Sequence, residues 1–264
     1  MASSINLSTS QLVEIFQSYR IAVLSTLGFA IVLPLAISDY RTYLSYGPGG
    51  LPYNVRGWLM ANVLKLFARE QHSSAPYDDP DLPFADEPGY LPDDFPPKRS
   101  SPKPKIGPHP APQRQLEQLP SDEMRKRLID RFAELGRKAQ EKELVEVKQS
   151  FYERQHSALF VSPRRNWHTV AEQTNGELSH VHAGLDGTIH VVLHPKDCKK
   201  VLDNGWGQRH AFSGSTLLQR VPRARLPVNY LLIYAPRDDA ELDVALRIVE
   251  AAIQFMAGTR DTVA

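Results

Sequence analysis

The sequence predicts an α+β fold: an antiparallel sheet with a histidine-bearing hairpin, helices packed on it, and a transmembrane helix ahead of it. Three observations carry that expectation. Alternating runs at 178–182 and 188–194 flank Gly184-Leu185-Asp186-Gly187 and read as adjacent antiparallel strands. Antiparallel hairpins with helices covering one face indicate α+β and argue against a doubly wound sheet. Ile21–Ile37 is seventeen residues without a charge, at the short end of what crosses a ~30 Å hydrocarbon core.

Arg20 and the Asp39/Arg41 pair bracket that apolar run, and no convincing Ala-x-Ala site follows it, so residues 1–38 read as a tail and an uncleaved anchor. Arg41, Arg56, Lys65 and Arg69 outweigh Arg20. The positive-inside rule then places the following domain on the cytosolic side of an intracellular membrane, with the endoplasmic reticulum the expected one. Residues 39–71 form an amphipathic helical segment. Its helix is expected over Val55–Glu70, with Val55, Trp58, Leu59 and Leu66 on a wide apolar face and Arg56, Lys65 and Arg69 outside it. Such a helix suits a membrane surface or the flank of a domain equally well.

Residues 72–120 hold thirteen of the 21 prolines, which rules out regular helix or a central strand. Pro76–Ser101 is expected to be extended and mobile, and Pro104–Gln115 to wrap the domain near its site. The domain proper spans 121–264. Ser121 caps a helix with Met124, Leu128, Ile129, Phe132 and Leu135 as its stripe, and 144–161 makes two short strands or one bent one. Pro195 opens a short helix that Gly205 ends, Val228–Tyr234 is a buried strand, and a last helix starts at Asp238 with Glu241 three residues on.

With 31 basic and 30 acidic residues the charge is balanced, which excludes a nucleic-acid binder that lives on phosphate contacts. Arg220, Arg223 and Arg225 read as a solvated loop. The single cysteine, Cys198, excludes an internal disulfide. No dinucleotide, phosphate-loop or nucleophile-elbow motif is present.

Chemistry concentrates between Glu177 and His210, which hold five of the nine histidines, an acid and the run Trp206-Gly207-Gln208-Arg209-His210. Histidine trades protons near neutrality and binds metals. Alternation puts Leu178, His180 and His182 on one strand face, and His190, Val192 and His194 on one face of the next. A two-residue turn would oppose His182 to Val191 and separate the sets, whereas a three-residue loop opposes His182 to His190 and gathers them. The gathered arrangement is expected.

At these residues the chain resembles the fungal luciferases. The shared pattern is Glu177-x-x-His180-x-His182-x7-His190, followed by Gly205-Trp206-Gly207-Gln208-Arg209-His210. The resemblance continues in Asp39-Tyr40-x-Thr-Tyr-Leu, Gly47-Pro48, Arg56-Gly57, Glu70-Gln71, Lys105 to His109, Gln113-Arg114-Gln115, Tyr234-Ala235-Pro236-Arg237 and Ile248-Val249-Glu250-Ala251. His194, the long 78–112 stretch and the 217–227 loop depart from the family pattern.

The resemblance implies an oxygenase that acts with O2 on 3-hydroxyhispidin, a styryl α-pyrone, or on a related polyphenolic metabolite. An enolate would pass an electron to O2, and a peroxide would collapse with loss of CO2. His180, His182, His190, Arg209, His210 and Glu177 are then the catalytic candidates, and Trp206, Gln208, His109, Arg114 and Gln115 the substrate-binding ones. By themselves Glu177, His180, His182 and His190 suit non-haem iron or manganese. The resemblance points instead to histidine acid–base chemistry with no cofactor beyond O2. Two other readings use the same scaffold: a non-oxidative cyclase or decarboxylase, and a non-catalytic binder of small molecules.

Overall fold

A computed structural model describes residues 8–218 and 225–263, so Arg220 and Arg223 lie outside the described residues. The chain divides into two units, Met1–Ser45 and Tyr46–Ala264.

The described residues of the first unit form one helix, α1 (Thr9–Ser45), whose segment Phe16–Ser45 is long and apolar enough to cross a membrane. At ~1.5 Å per residue its 30 residues cover about 45 Å, more than Ile21–Ile37 alone would give. Leu24, Phe29, Ile31, Val32 and Leu35 are all exposed, so this stretch has no polar face to turn toward water.

The second unit is built on a six-stranded sheet in which every neighbouring pair is antiparallel. Its strands are β1 (Val145–Gln149), β2 (Ser157–Val161), β3 (Glu177–Val181), β4 (Ile189–Val192), β5 (Gly207–Arg209) and β6 (Tyr230–Ile233), in the order β1-β2-β3-β4-β6-β5. The region 144–161 thus resolves into two strands. Val181 faces Ile129 and Phe132 of α3 (Asp122–Glu141). Strand alternation therefore turns His180 and His182 to the opposite face. The long last helix, α6 (Asp239–Ala257), packs on β2, β3 and β4 and against α3.

Local signals explain the helix ends. Ser121 Oγ accepts from the Met124 N–H, and the Asp238 carboxylate from the Glu241 N–H. Gly258 closes α6 in the left-handed conformation (φ 62°), which a glycine adopts without penalty. Between β4 and β5, α5 (Pro195–Asp203) starts with proline inside its first turn. Its N-cap is His194, whose Nδ1 accepts from the Lys196 N–H. His194 was expected on the strand face beside His190. It lies past the end of β4, among Phe84, Tyr90 and Phe255.

The helix expected over Val55–Glu70 is shorter: α2 covers Val55–Leu64 and a single 3-10 turn follows at Lys65–Phe67. Its buried residues are the small ones, Gly57 and Ala61. α2 therefore approaches the domain along a narrow seam and leaves Val55, Leu59 and Val63 exposed.

Pro76–Ser101 is not a free linker. The Tyr90 and Leu91 N–H groups donate to the buried Asp197 carboxylate, Tyr77 Oη donates to the Val228 carbonyl, and Trp206 donates to the Pro97 carbonyl. Arg99, buried, pairs with Glu241. Proline removes donors from this stretch, and the Asp197 and Trp206 side chains bind part of the backbone that remains.

Leu128 is fully buried where α3 meets the sheet. Leu128→Ala should cost ~2–5 kcal/mol and Ser121→Ala about 1 kcal/mol. Denaturant midpoints of the two variants, compared with the parent chain, check that order.

Candidate active site

The register of the hairpin decides which groups meet. His180 stands opposite His190, and Ser179 opposite Val191. The His182 N–H bonds the Thr188 carbonyl, so the connection is the five residues 183–187. Neither loop weighed from the sequence gives that register. It still keeps His180, His182 and His190 on one face, because the slip from the three-residue loop is an even number of positions. Ring centroids lie 5.4 Å apart for His180–His182, 5.1 Å for His180–His190 and 4.9 Å for His182–His190. His210 joins them 5.5 Å from His190, and Tyr230 stacks on His190 at 5.0 Å.

These rings form the floor of a cavity of about 990 Å³. One wall is apolar: Leu51, Pro52, Val55, Leu59, Met60 and Val63, most of them from α2. Another is polar, from Gln113, Arg114, Tyr152 and Glu153. A concave, mainly apolar site with a few convergent polar groups is what a small planar ligand requires.

Two buried carboxylates hold the floor in place. Glu177 Oε1 accepts from His180 Nδ1 and from Ser150 Oγ, each at 2.7 Å, and Oε2 accepts from the Phe151 N–H at 2.6 Å. It therefore ties the loop between β1 and β2 to the first histidine. Asp186 accepts from the Thr188 hydroxyl and N–H and from the Gln115 N–H. Thr188 Oγ1 in turn lies 2.8 Å from His182 Nδ1. Burial pushes the Asp186 carboxyl up, with Arg114 and these hydrogen bonds opposing.

Glu153 carries the third carboxylate. Its Oε1 is 2.7 Å from the Arg114 guanidinium, and Oε2 is 3.7 Å from His182 Nε2. Arg114 also donates to the Tyr46 and Pro48 carbonyls. Gly50 presses on the same loop: a Cβ there would stand 2.6 Å from the Tyr152 carbonyl oxygen.

Burial pulls the imidazoles of His182 and His190 well below the usual histidine range, with Arg114 and neighbouring histidines adding to the effect. Burial, then His180, takes His210 down to about 3. The rings of His182, His190 and His210 are therefore neutral at physiological pH. The Phe212 N–H lies 3.1 Å from His210 Nδ1, so that nitrogen is the acceptor and the ring proton sits on Nε2.

The remaining candidates lie outside this cavity. Arg209 points to Glu70, bonding its carboxylate at 2.9 Å. Trp206 is part of the hydrophobic core. Gln208 bridges Gln71 and Tyr234. His109 meets Tyr46, and Gln115 receives the Ala235 N–H. Of the five substrate-binding candidates only Arg114 lines the cavity. Glu153, Tyr152, Tyr230 and Phe212 line it with no motif to announce them, since each sits in a loop or an ordinary strand. Gln113 Oε1 is a buried acceptor with no hydrogen-bond partner among the described residues.

A sequence profile described as Luciferase domain matches residues 175–252. The luciferases of Armillaria gallica and Armillaria mellea are each 35% identical to this chain, over 89% of it and 85% of their own length. The luciferase of Neonothopanus nambi is 34% identical over 96% of this chain and 94% of its own. No solved structure matches.

The neutral state of His210 has a consequence for stability. An unfolded histidine takes up a proton near ~6.5, and the folded one near about 3. Between those values the unfolded chain binds the extra proton. Unfolding free energy should hold its full value above ~6.5 and fall on acidification, by at most about 1.4 kcal/mol per pH unit from this residue. Denaturant midpoints taken at pH values on either side of ~6.5 test the sign. His210→Gln should flatten the acid limb, and an unchanged limb would refute the assignment.

Proposed function

Because the chain belongs to the fungal luciferase family, we propose that it is an enzyme that oxidises a hydroxylated α-pyrone like 3-hydroxyhispidin, or a related polyphenol, with O2 and with light emission. The observation that carries this reading is the convergence of four histidines on the floor of a cavity with an apolar wall. A flat, conjugated ligand places its rings against α2 and its acidic hydroxyl among the imidazoles.

An enol must ionise before it can give an electron to O2. The acceptors at hand are imidazole nitrogens and Glu153, 3.7 Å from His182 Nε2. His210, whose proton sits on Nε2, donates to the oxyanion that forms. The enolate then loses one electron to O2, and the two radicals combine to a peroxide, whose collapse expels CO2. O2 is the only co-reactant this sequence consumes.

The apolar helix α1 anchors the enzyme in an intracellular membrane, such as the endoplasmic reticulum, with the catalytic unit on the cytosolic side. A lipophilic pyrone partitions into that membrane. The full chain should sediment with membranes and resist alkaline carbonate extraction. Release into the supernatant would sink the anchor.

Oxygen uptake with a hydroxylated α-pyrone tests the reaction itself. Saturable uptake with equimolar CO2 release is expected. His182→Gln should lower kcat by ~10²–10⁴-fold while circular dichroism stays that of the parent chain. Product without oxygen uptake would make the protein a cyclase or decarboxylase, and binding without turnover would make it a binder.

A further inference from the structure

Three of the cavity histidines share a feature that proton transfer alone does not require. In each, Nδ1 faces an acceptor: Glu177 Oε1 at 2.7 Å for His180, Thr188 Oγ1 at 2.8 Å for His182, and the Leu231 carbonyl at 3.1 Å for His190. Thr188 spends its own proton on Asp186, so its oxygen accepts from the ring. With Nδ1 of each ring turned to an acceptor, Nε2 is the nitrogen left to take a ligand from the cavity. One ring nitrogen from each lies within 4.8 Å of the others. His210, with the opposite tautomer, is outside this set.

We propose that His180, His182 and His190 bind one divalent first-row transition-metal ion through Nε2. Glu177, Thr188 and the Leu231 carbonyl orient the three ligands, and the remaining coordination positions open to the cavity. Ligand nitrogens at ~2.0–2.1 Å from an ion are at most ~4.2 Å apart, so small side-chain rotations close the set. Outer acceptors that fix the imidazole tautomer are the usual company of ligating histidines. Glu177, which the sequence alone would offer as a fourth ligand, has its two oxygens engaged by Ser150, His180 and Phe151. An all-imidazole set suits iron, cobalt or zinc and disfavours magnesium or calcium.

The role of the ion, though not its binding, rests on the proposed oxidation of a pyrone. A hydroxyl beside the ring carbonyl offers two adjacent oxygens, a bidentate chelator, and the cation would hold the ionised form. Glu153 then remains as the proton acceptor, since the imidazole lone pairs are engaged.

The test uses the full-length chain in detergent, analysed for metals as purified, then stripped by chelator and titrated with Co(II). About one ion per chain is expected, with ligand-field absorption and no thiolate band, because the one cysteine is buried in α5. His190→Gln and His182→Gln should each lose the absorption while circular dichroism shows them folded. Glu177→Gln should weaken binding by ~10–100-fold without abolishing it. Two variants are used so that one misfolded protein does not decide the matter. A folded, stripped parent chain that gives no Co(II) absorption would overturn the proposal, as would His-to-Gln variants that bind like the parent. Metal binding without oxygen uptake would leave the site standing and sink the proposed reaction. Full turnover with no bound ion would do the reverse.

Discussion

His180 opposite His190 is the pairing on which the rest of the site depends. With that register, three imidazoles crowd one face of two adjacent strands, and their neighbours Val181 and Val191 go to the face that α3 and α6 cover. A slip of one residue would send histidines into the apolar core and valines into the cavity, exchanging good burial for bad on both faces. The hydrophobic contacts of the helix side thus hold the polar geometry of the other.

Desolvated imidazoles are costly to place so close together unless their nitrogens have partners. Glu177, Asp186 through Thr188, and the Leu231 carbonyl provide those partners. The same carboxylates also bind backbone from 150–153 and 113–115. One set of hydrogen bonds therefore orients the rings and closes the loops that bring Glu153 and Arg114 alongside. Loops positioned by a rigid sheet are where reactive groups gather.

The opposite tautomers divide the labour of the floor. His180, His182 and His190 turn Nδ1 to fixed acceptors and leave Nε2 toward a proton or a cation, and His210 presents an N–H to an anion. α2 adds an apolar wall that polar rings could not supply.

The α+β class, the capped helices at Ser121 and Asp238, the apolar N-terminal run and the gathering of His180, His182 and His190 were legible because each follows from local chemistry or from a period in the chain. The loop that sets the register was not, since an even slip preserves the facing pattern and leaves no trace in it. Arg209 and His210 look equivalent in sequence, yet strand alternation and the contacts of residues 70–71 send one to Glu70 and the other into the cavity. Trp206, a substrate-binding candidate by sequence, goes to the core, while Tyr152, Glu153 and Tyr230 reach the site from ordinary-looking segments. The prolines of 76–101 read as a linker because their anchors, Asp197, Val228 and Trp206, are more than a hundred residues away. The sequence by itself determined which residues could do chemistry and which face of each strand they would share, because both depend on neighbours within a few positions. Only the tertiary structure decided which of them meet, because hydrogen bonds between distant segments leave no period in the chain.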